Sequence, residues 1–138
     1  MKKILILGGG FSKEREISLV TAKAVFHTLK KKYNATICEP DGNLTKKIKK
    51  FKPDVVFNAL HGRFGEDGYI QTILESKKIK YTHSGVLASA IAMDKEVSKK
   101  IFLRNKIITP KYLKYKFSIK KKMNKNLTIK IKKKLKFP

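Results

Sequence analysis

The sequence has no tryptophan and a single cysteine, Cys38, among its 138 residues. A lone thiol closes no internal disulfide, and no Cys/His group has the spacing of a zinc site. Long apolar runs are also missing. No stretch approaches the roughly 18 residues that a membrane-spanning helix needs, so a span is excluded. The N-terminal run Ile4-Leu5-Ile6-Leu7 goes straight into glycines and is too short for an export signal, so the cytosol is the expected location. Acidic residues number only ten, with none after Glu96, and no glycine follows Gly85. What remains is 41% hydrophobic and 32% charged, a globular mixture in a chain long enough for one compact domain of ordinary size.

The charge is large and lopsided, +24 at neutral pH. Such a balance ordinarily points to nucleic acid or an anionic surface. Yet only Arg15, Arg63 and Arg104 are arginines, against 31 lysines. The planar guanidinium reads phosphate and guanine through two bonds at once, which an ammonium cannot do. Lysine, isoleucine and asparagine share A/T-rich codons, so compositional drift accounts for the charge, and a nucleic-acid partner is not favoured.

The chain changes character near residue 95. Residues 1–96 carry a net +8 with every glycine and histidine, whereas residues 97–138 carry +16 and no acid. The first stretch alternates short apolar runs with amphipathic ones. Residues 3–7 form an expected strand buried on both faces, ended by Gly8-Gly9-Gly10. Ser12 is placed to cap the following helix, with Glu14 and Glu16 in its first turn, and Ile17, Val20, Ala24 and Phe26 to Leu29 recur at helical spacing. Further strands are expected over 36–38, 54–58 and 80–82, with a helix over 69–77. This alternation predicts an α/β fold, an open parallel sheet with flanking helices and ligands beyond the carboxyl ends of the strands. Beyond it, 94–105 reads as a helix stopped by Thr109-Pro110, 111–117 as a strand, and Leu127, Ile131 and Leu135 as one helical face capped by Asn126. Neither that strand nor that helix can bury its apolar side alone.

Three strings carry chemistry. In Gly8-Gly9-Gly10-Phe11-Ser12-Lys13-Glu14-Arg15-Glu16, the glycines suit a backbone anion site, but Lys13 stands where a dinucleotide fingerprint needs glycine. Glu14 suits a cationic group such as an amine, or simply complements the helix dipole. The string His61-Gly62-Arg63-Phe64-Gly65-Glu66-Asp67-Gly68 follows a strand at its carboxyl end and is too glycine-rich and too charged for a mere connector. There His61 is fit to orient a substrate, and Arg63 either pairs a carboxylate or locks Glu66 or Asp67, which themselves are candidate helix caps. In the third string, residues 81–95, the small residues read as a closely packed core helix. Lys95 opens the next helix as a point charge for phosphate, and His83 has no evident partner. Cys38 reads as a small core residue rather than a reactive thiol.

Taken in order, GGGFSKEREISLVTAKAV, HGRFGEDGYIQTILE and KYTHSGVLASAIAMDK resemble the N-terminal part of the D-alanine–D-alanine ligase family. The resemblance implies a Rossmann-like pre-ATP-grasp domain over 1–94, followed over 95–138 by the incomplete start of an ATP-grasp domain. It implies ATP-dependent joining of two D-alanines through an acylphosphate, for peptidoglycan synthesis, with ATP and Mg2+ as cofactors of the complete enzyme and a homodimeric assembly. Glu14 would hold the ammonium of the first D-alanine. His61, with Gly62 and Arg63, would lie beside that substrate, and Lys95 would approach the nucleotide phosphates. Family members commonly read PYTG where this sequence has Lys80-Tyr81-Thr82-His83. The glycine-rich ATP loop, the arginine that steadies negative charge and the acidic magnesium ligands would all lie past residue 138, so this chain is expected to be inactive alone.

Overall fold

The computed structural model describes residues 1–114 and 125–135. Its contacts fall into two compact units, Met1–Asp94 and Lys95–Pro138. In the first, β1 (Lys3–Leu7), α1 (Arg15–Leu29), β2 (Asn34–Cys38), α2 (Leu44–Phe51), β3 (Val55–Asn58), α3 (Tyr69–Ser76), β4 (Lys80–Tyr81) and α4 (Val86–Met93) follow one another. The four strands form one parallel sheet in the order β2-β1-β3-β4, with Leu5 opposite Thr36 on one side and Val56 on the other. The expected open parallel α/β sheet is thus present. Chain direction reverses at β1. From β1 the chain crosses outward to β2, then returns past β1 to β3, so the topological switch lies between the carboxyl ends of β1 and β3.

Strand β1 is apolar from Ile4 to Leu7 because both its faces are covered there. Leu5 and Leu7 pack with Val56, Leu44, Ile48, Ile70 and Leu74 beneath α2 and α3. Ile6 packs with Ala22 and Ala59, and with Ile4, Val25, Phe26 and Leu29, beneath α1. Close approach matters at the strand's end. A Cβ on Gly8 would collide with the Cβ of Ala22, so glycine there lets α1 press onto the sheet.

Helix α2 is an element that the sequence pattern did not reveal. It carries four lysines among eight residues, and only Leu44 and Ile48, four apart, are buried. Lys52 then ends it in the left-handed region at φ 51°. Two expectations need correction. Helix α4 forms, but it is not core: only Ser89 is buried, and Leu87 is 73% exposed. Small side chains offer too little apolar area to require burial. Ser12 does not cap the helix from outside its first turn as expected. Its Oγ accepts the Glu14 N–H at 2.9 Å within a tight turn, and α1 starts only at Arg15.

The second unit holds α5 (Lys95–Arg104) and α6 (Lys125–Leu135). Residues 111–114 belong to no strand, and the rest of the strand expected over 111–117 lies outside the described residues. That segment is fixed to α5 by polar contacts instead. Lys99 Nζ donates to Thr109 Oγ1 at 2.9 Å and to the Pro110 carbonyl at 2.8 Å, and Glu96 pairs with Lys100 and Lys114. The flanking lysines pull the Glu96 carboxyl down to about 2. Helix α6 begins one residue before Asn126, which therefore lies within the helix rather than at its cap.

Candidate functional site

Two loops leave the sheet at the switch point: residues 8–14 after β1 and residues 59–68 after β3. One buried hydroxyl joins them. Ser18 on α1 accepts the Gly9 N–H at 2.8 Å and donates to the Ala59 carbonyl at 2.7 Å. The first loop is also clamped from β2. Glu39 takes two bonds from Arg15, Nε at 2.6 Å and Nη2 at 2.8 Å, and accepts the Gly10 N–H at 3.1 Å. The Arg15 guanidinium lowers the Glu39 carboxyl below its usual range, so the clamp stays charged at neutral pH.

The second loop is braced by its own acids. Glu66 accepts the Gly62 N–H at 2.8 Å, and Asp67 accepts the N–H groups of Phe64 and Tyr69 at 3.0 and 3.1 Å. Asn58, buried at the end of β3, donates to the Gly65 carbonyl at 2.8 Å, and Gln71 donates to the same oxygen at 2.9 Å. Glu66 and Asp67 thus stabilise the loop that holds the histidine, and Asp67 also serves the start of α3. The remaining amide oxygen of Gln71 is buried and accepts no hydrogen bond from the described residues. Gln71 lines a cavity of about 280 Å³ together with Glu66, His83 and Met93. Neither Gln71 nor Asn58 was singled out from sequence, although each is a polar residue in an otherwise apolar run.

These loops bring Glu14 to Gly62. A Cβ on Gly62 would lie 2.7 Å from Glu14 Oε2, and Gly62 has φ +71°, so both the conformation and the space favour glycine. His61 is held from two sides. Its Nε2 lies 3.1 Å from Thr21 Oγ1, and its Nδ1 lies 3.9 Å from Glu66 Oε1. Thr21 Oγ1 itself stands 3.1 Å from the Ile17 carbonyl as donor, so the network fits an Nε2–H histidine donating to Thr21. The result is an exposed carboxylate against Gly62, the residue that follows a half-buried imidazole, at the carboxyl ends of β1 and β3, an arrangement that can take an ammonium and orient a small polar molecule. Arg63 makes no ion pair among the described residues. It does not lock Glu66 or Asp67, and it lines a cavity of about 330 Å³ together with His61, Phe11 and Phe64.

Comparison with known proteins narrows the reading. A family model described as the D-ala D-ala ligase N-terminus matches residues 38–84. A D-alanine–D-alanine ligase of Pelagibacter ubique is 65% identical over 138 residues, covering 99% of this chain and 44% of that protein. One from a Wolbachia of Brugia malayi is 56% identical over 109 residues, 78% of this chain and 32% of that protein. Among solved structures, a Bacillus anthracis D-alanine–D-alanine ligase complexed with ATP superposes with a TM-score of 0.77 at 34% identity, covering 95% of this chain and 45% of that one. This chain belongs with the D-alanine–D-alanine ligases. It spans less than half the length of each of these relatives and matches their N-terminal part.

His83, which follows Lys80-Tyr81-Thr82, stands at φ +88°. The backbone keeps the left-handed conformation that glycine adopts freely, and a histidine there costs on the order of 1 kcal/mol. Lys95 opens α5 in the second unit, so the two units divide the expected site residues between them. Cys38 is buried at the end of β2, and desolvation raises its thiol pKa, as suits a core residue.

Proposed function

We propose that this chain forms the D-alanine-binding N-terminal part of a ligase that joins two D-alanines with ATP. The observation that carries this reading is the Glu14 carboxylate set against Gly62, with His61 held by Thr21 in the same loop, at the switch point of the sheet. Glu14 takes the ammonium of the first D-alanine, and His61, fixed by Thr21, borders the same substrate. The Gly62 edge leaves room for the carboxylate that holds it. In this reading ATP phosphorylates the substrate carboxylate, and the amine of a second D-alanine displaces phosphate from the acylphosphate. Lys95 meets the nucleotide phosphates as a point charge. Residues 1–94 serve as the pre-ATP-grasp domain, and residue 95 onward begins the ATP-grasp part. The reaction belongs in the cytoplasm, where peptidoglycan precursors are made, and a homodimer is part of the same proposal.

Magnesium fits less well. Among the described residues no three carboxylate, imidazole or thiol groups converge, so these residues do not by themselves form a magnesium site. Residues 1–138 by themselves should therefore form no ADP from ATP and D-alanine. The direct test is an NMR titration of the 138-residue chain with D-alanine, with L-alanine as control. D-Alanine should shift the amides of residues 9–14 and 61–66, and Glu14→Gln should weaken binding about tenfold or more. Equal response to the two enantiomers, or no response from those loops, would refute the assignment. Glu14 is exposed, so its replacement leaves the fold intact.

A further inference from the structure

A cavity of about 330 Å³ opens on the α2 and α3 side of the same loops. Its floor is apolar, with Leu44, Leu60 and Ile73, and its mouth carries three aromatic rings. Phe64 lies edge-to-face between Phe11, at 5.9 Å and 76°, and Tyr69, at 5.3 Å and 84°. The rings of all three remain exposed, on a chain that is otherwise dense in lysine. Clusters of exposed rings at a concave site mark binding surfaces more often than chance packing does.

Two further observations bear on what the cavity takes. Phe64 stands at φ +68°, a region that bulky residues rarely occupy, in a loop that has glycine at 62, 65 and 68. Its N–H is held by Asp67 Oδ2 at 3.0 Å, so the strained backbone is pinned and the ring is fixed at the mouth. Strain of this kind gathers at ligand clamps. The charges are also sorted. Asp41 lines the cavity, but it is paired with Lys47 at 2.8 Å. Arg63 lines it with no ion-pair partner among the described residues, leaving one uncompensated positive charge beside the rings.

We propose that this cavity is a second binding site, for a small aromatic monocarboxylate whose ring enters among Phe11, Phe64 and Tyr69 while its carboxylate meets Arg63. The volume suits a single ring, and the guanidinium offers the paired donors that a carboxylate accepts. Glu14 does not line this cavity, but His61, Gly9 and Gly10 do, so the two sites share a wall and are told apart by Glu14→Gln, which should weaken D-alanine and leave 4-fluorobenzoate unchanged.

The test uses 4-fluorobenzoate as probe, followed by fluorine NMR on the 138-residue chain, with 4-fluorobenzamide as the uncharged counterpart. Two variants separate the contributions. Phe64→Gly removes the ring and relieves the positive φ, so it should keep or raise the melting temperature while weakening the probe about tenfold or more. Arg63→Gln should weaken the carboxylate by a similar factor and leave the benzamide unchanged. Saturable binding of the carboxylate, lost in both variants, supports the site. Absence of saturable binding overturns it. So does binding that persists in both variants, which would be the general attraction of a lysine-rich surface, and so does equal affinity for the benzamide.

Discussion

Replacing Ser18 with alanine tests the idea that one hydroxyl ties the two site loops together. The Ser18 side chain is fully buried and bonds Gly9 N–H and Ala59 C=O at 2.8 and 2.7 Å. Alanine fits the space with one atom fewer and leaves no room for a compensating water, so both backbone groups lose their partner inside the protein. Each hydrogen bond contributes about 1 kcal/mol net, and each buried group left unmet costs about 1–3 kcal/mol. The combined loss should be about 2–4 kcal/mol, a large share of the 5–15 kcal/mol typical of a domain. Urea denaturation followed by far-UV circular dichroism measures it. With a slope of about 1–1.5 kcal/mol per molar, the midpoint should fall by about 1.3–4 M. The control is Ser76→Ala, which removes an exposed hydroxyl bonded only to the Ile73 carbonyl of its own helix and should stay within about 0.5 kcal/mol. A Ser18→Ala midpoint no lower than that of the control refutes the reasoning. Native-state amide exchange adds a local reading, since the Gly9 amide should lose protection more than the strand amides of β1.

Gly62→Ala should destabilise the chain by about 1–2 kcal/mol through its φ of +71°, and push the Glu14 carboxylate aside, so thermal melting and D-alanine titration should both register it. Ile48→Ala should cost about 2–5 kcal/mol by urea melting, because Ile48 and Leu44, with the partly buried Phe51, anchor the lysine-rich α2 to the core; a loss under about 1 kcal/mol would mean that α2 is not docked there. Tyr81 should ionise late, near 12, since burial and its 2.5 Å bond to Glu75 both disfavour the phenolate. Its folded pKa lies above the unfolded value near 10, so the associated stability is complete below pH 10 and disappears as pH rises toward 12. Ultraviolet difference titration should show that late component vanish in Tyr81→Phe, and persistence of the component would assign it to another tyrosine.

Sequence by itself determined the elements whose patterns carry their own cause. An apolar run closed by glycines made β1 readable as a strand covered on both faces, and the 54–58 run entered by Pro53 made β3 readable as a strand. Helices α1 and α3 formed where expected, but Ile17, Val20 and Ala24 of the spacing read for α1 are exposed, and Ala22, Val25, Phe26 and Leu29 pack on the sheet instead. Glu14 and His61 stood out because a carboxylate and an imidazole beside glycine turns are unusual in mere connectors. Helix α2 escaped because two buried residues among lysines make too faint a period, and α4 was taken for core because small residues look alike whether they are packed or exposed.

Tertiary structure decided what depends on residues far apart in the chain. The strand order β2-β1-β3-β4 places the loops after β1 and β3 side by side, and only that order brings Glu14 to Gly62 and Thr21 to His61. Arg15 meets Glu39 across 24 residues, and Ser18 meets Ala59 across 41. Local pattern reports how a segment uses its own faces. Which segments become neighbours is settled by the sheet, because parallel strands pair through crossovers whose partners no local period encodes.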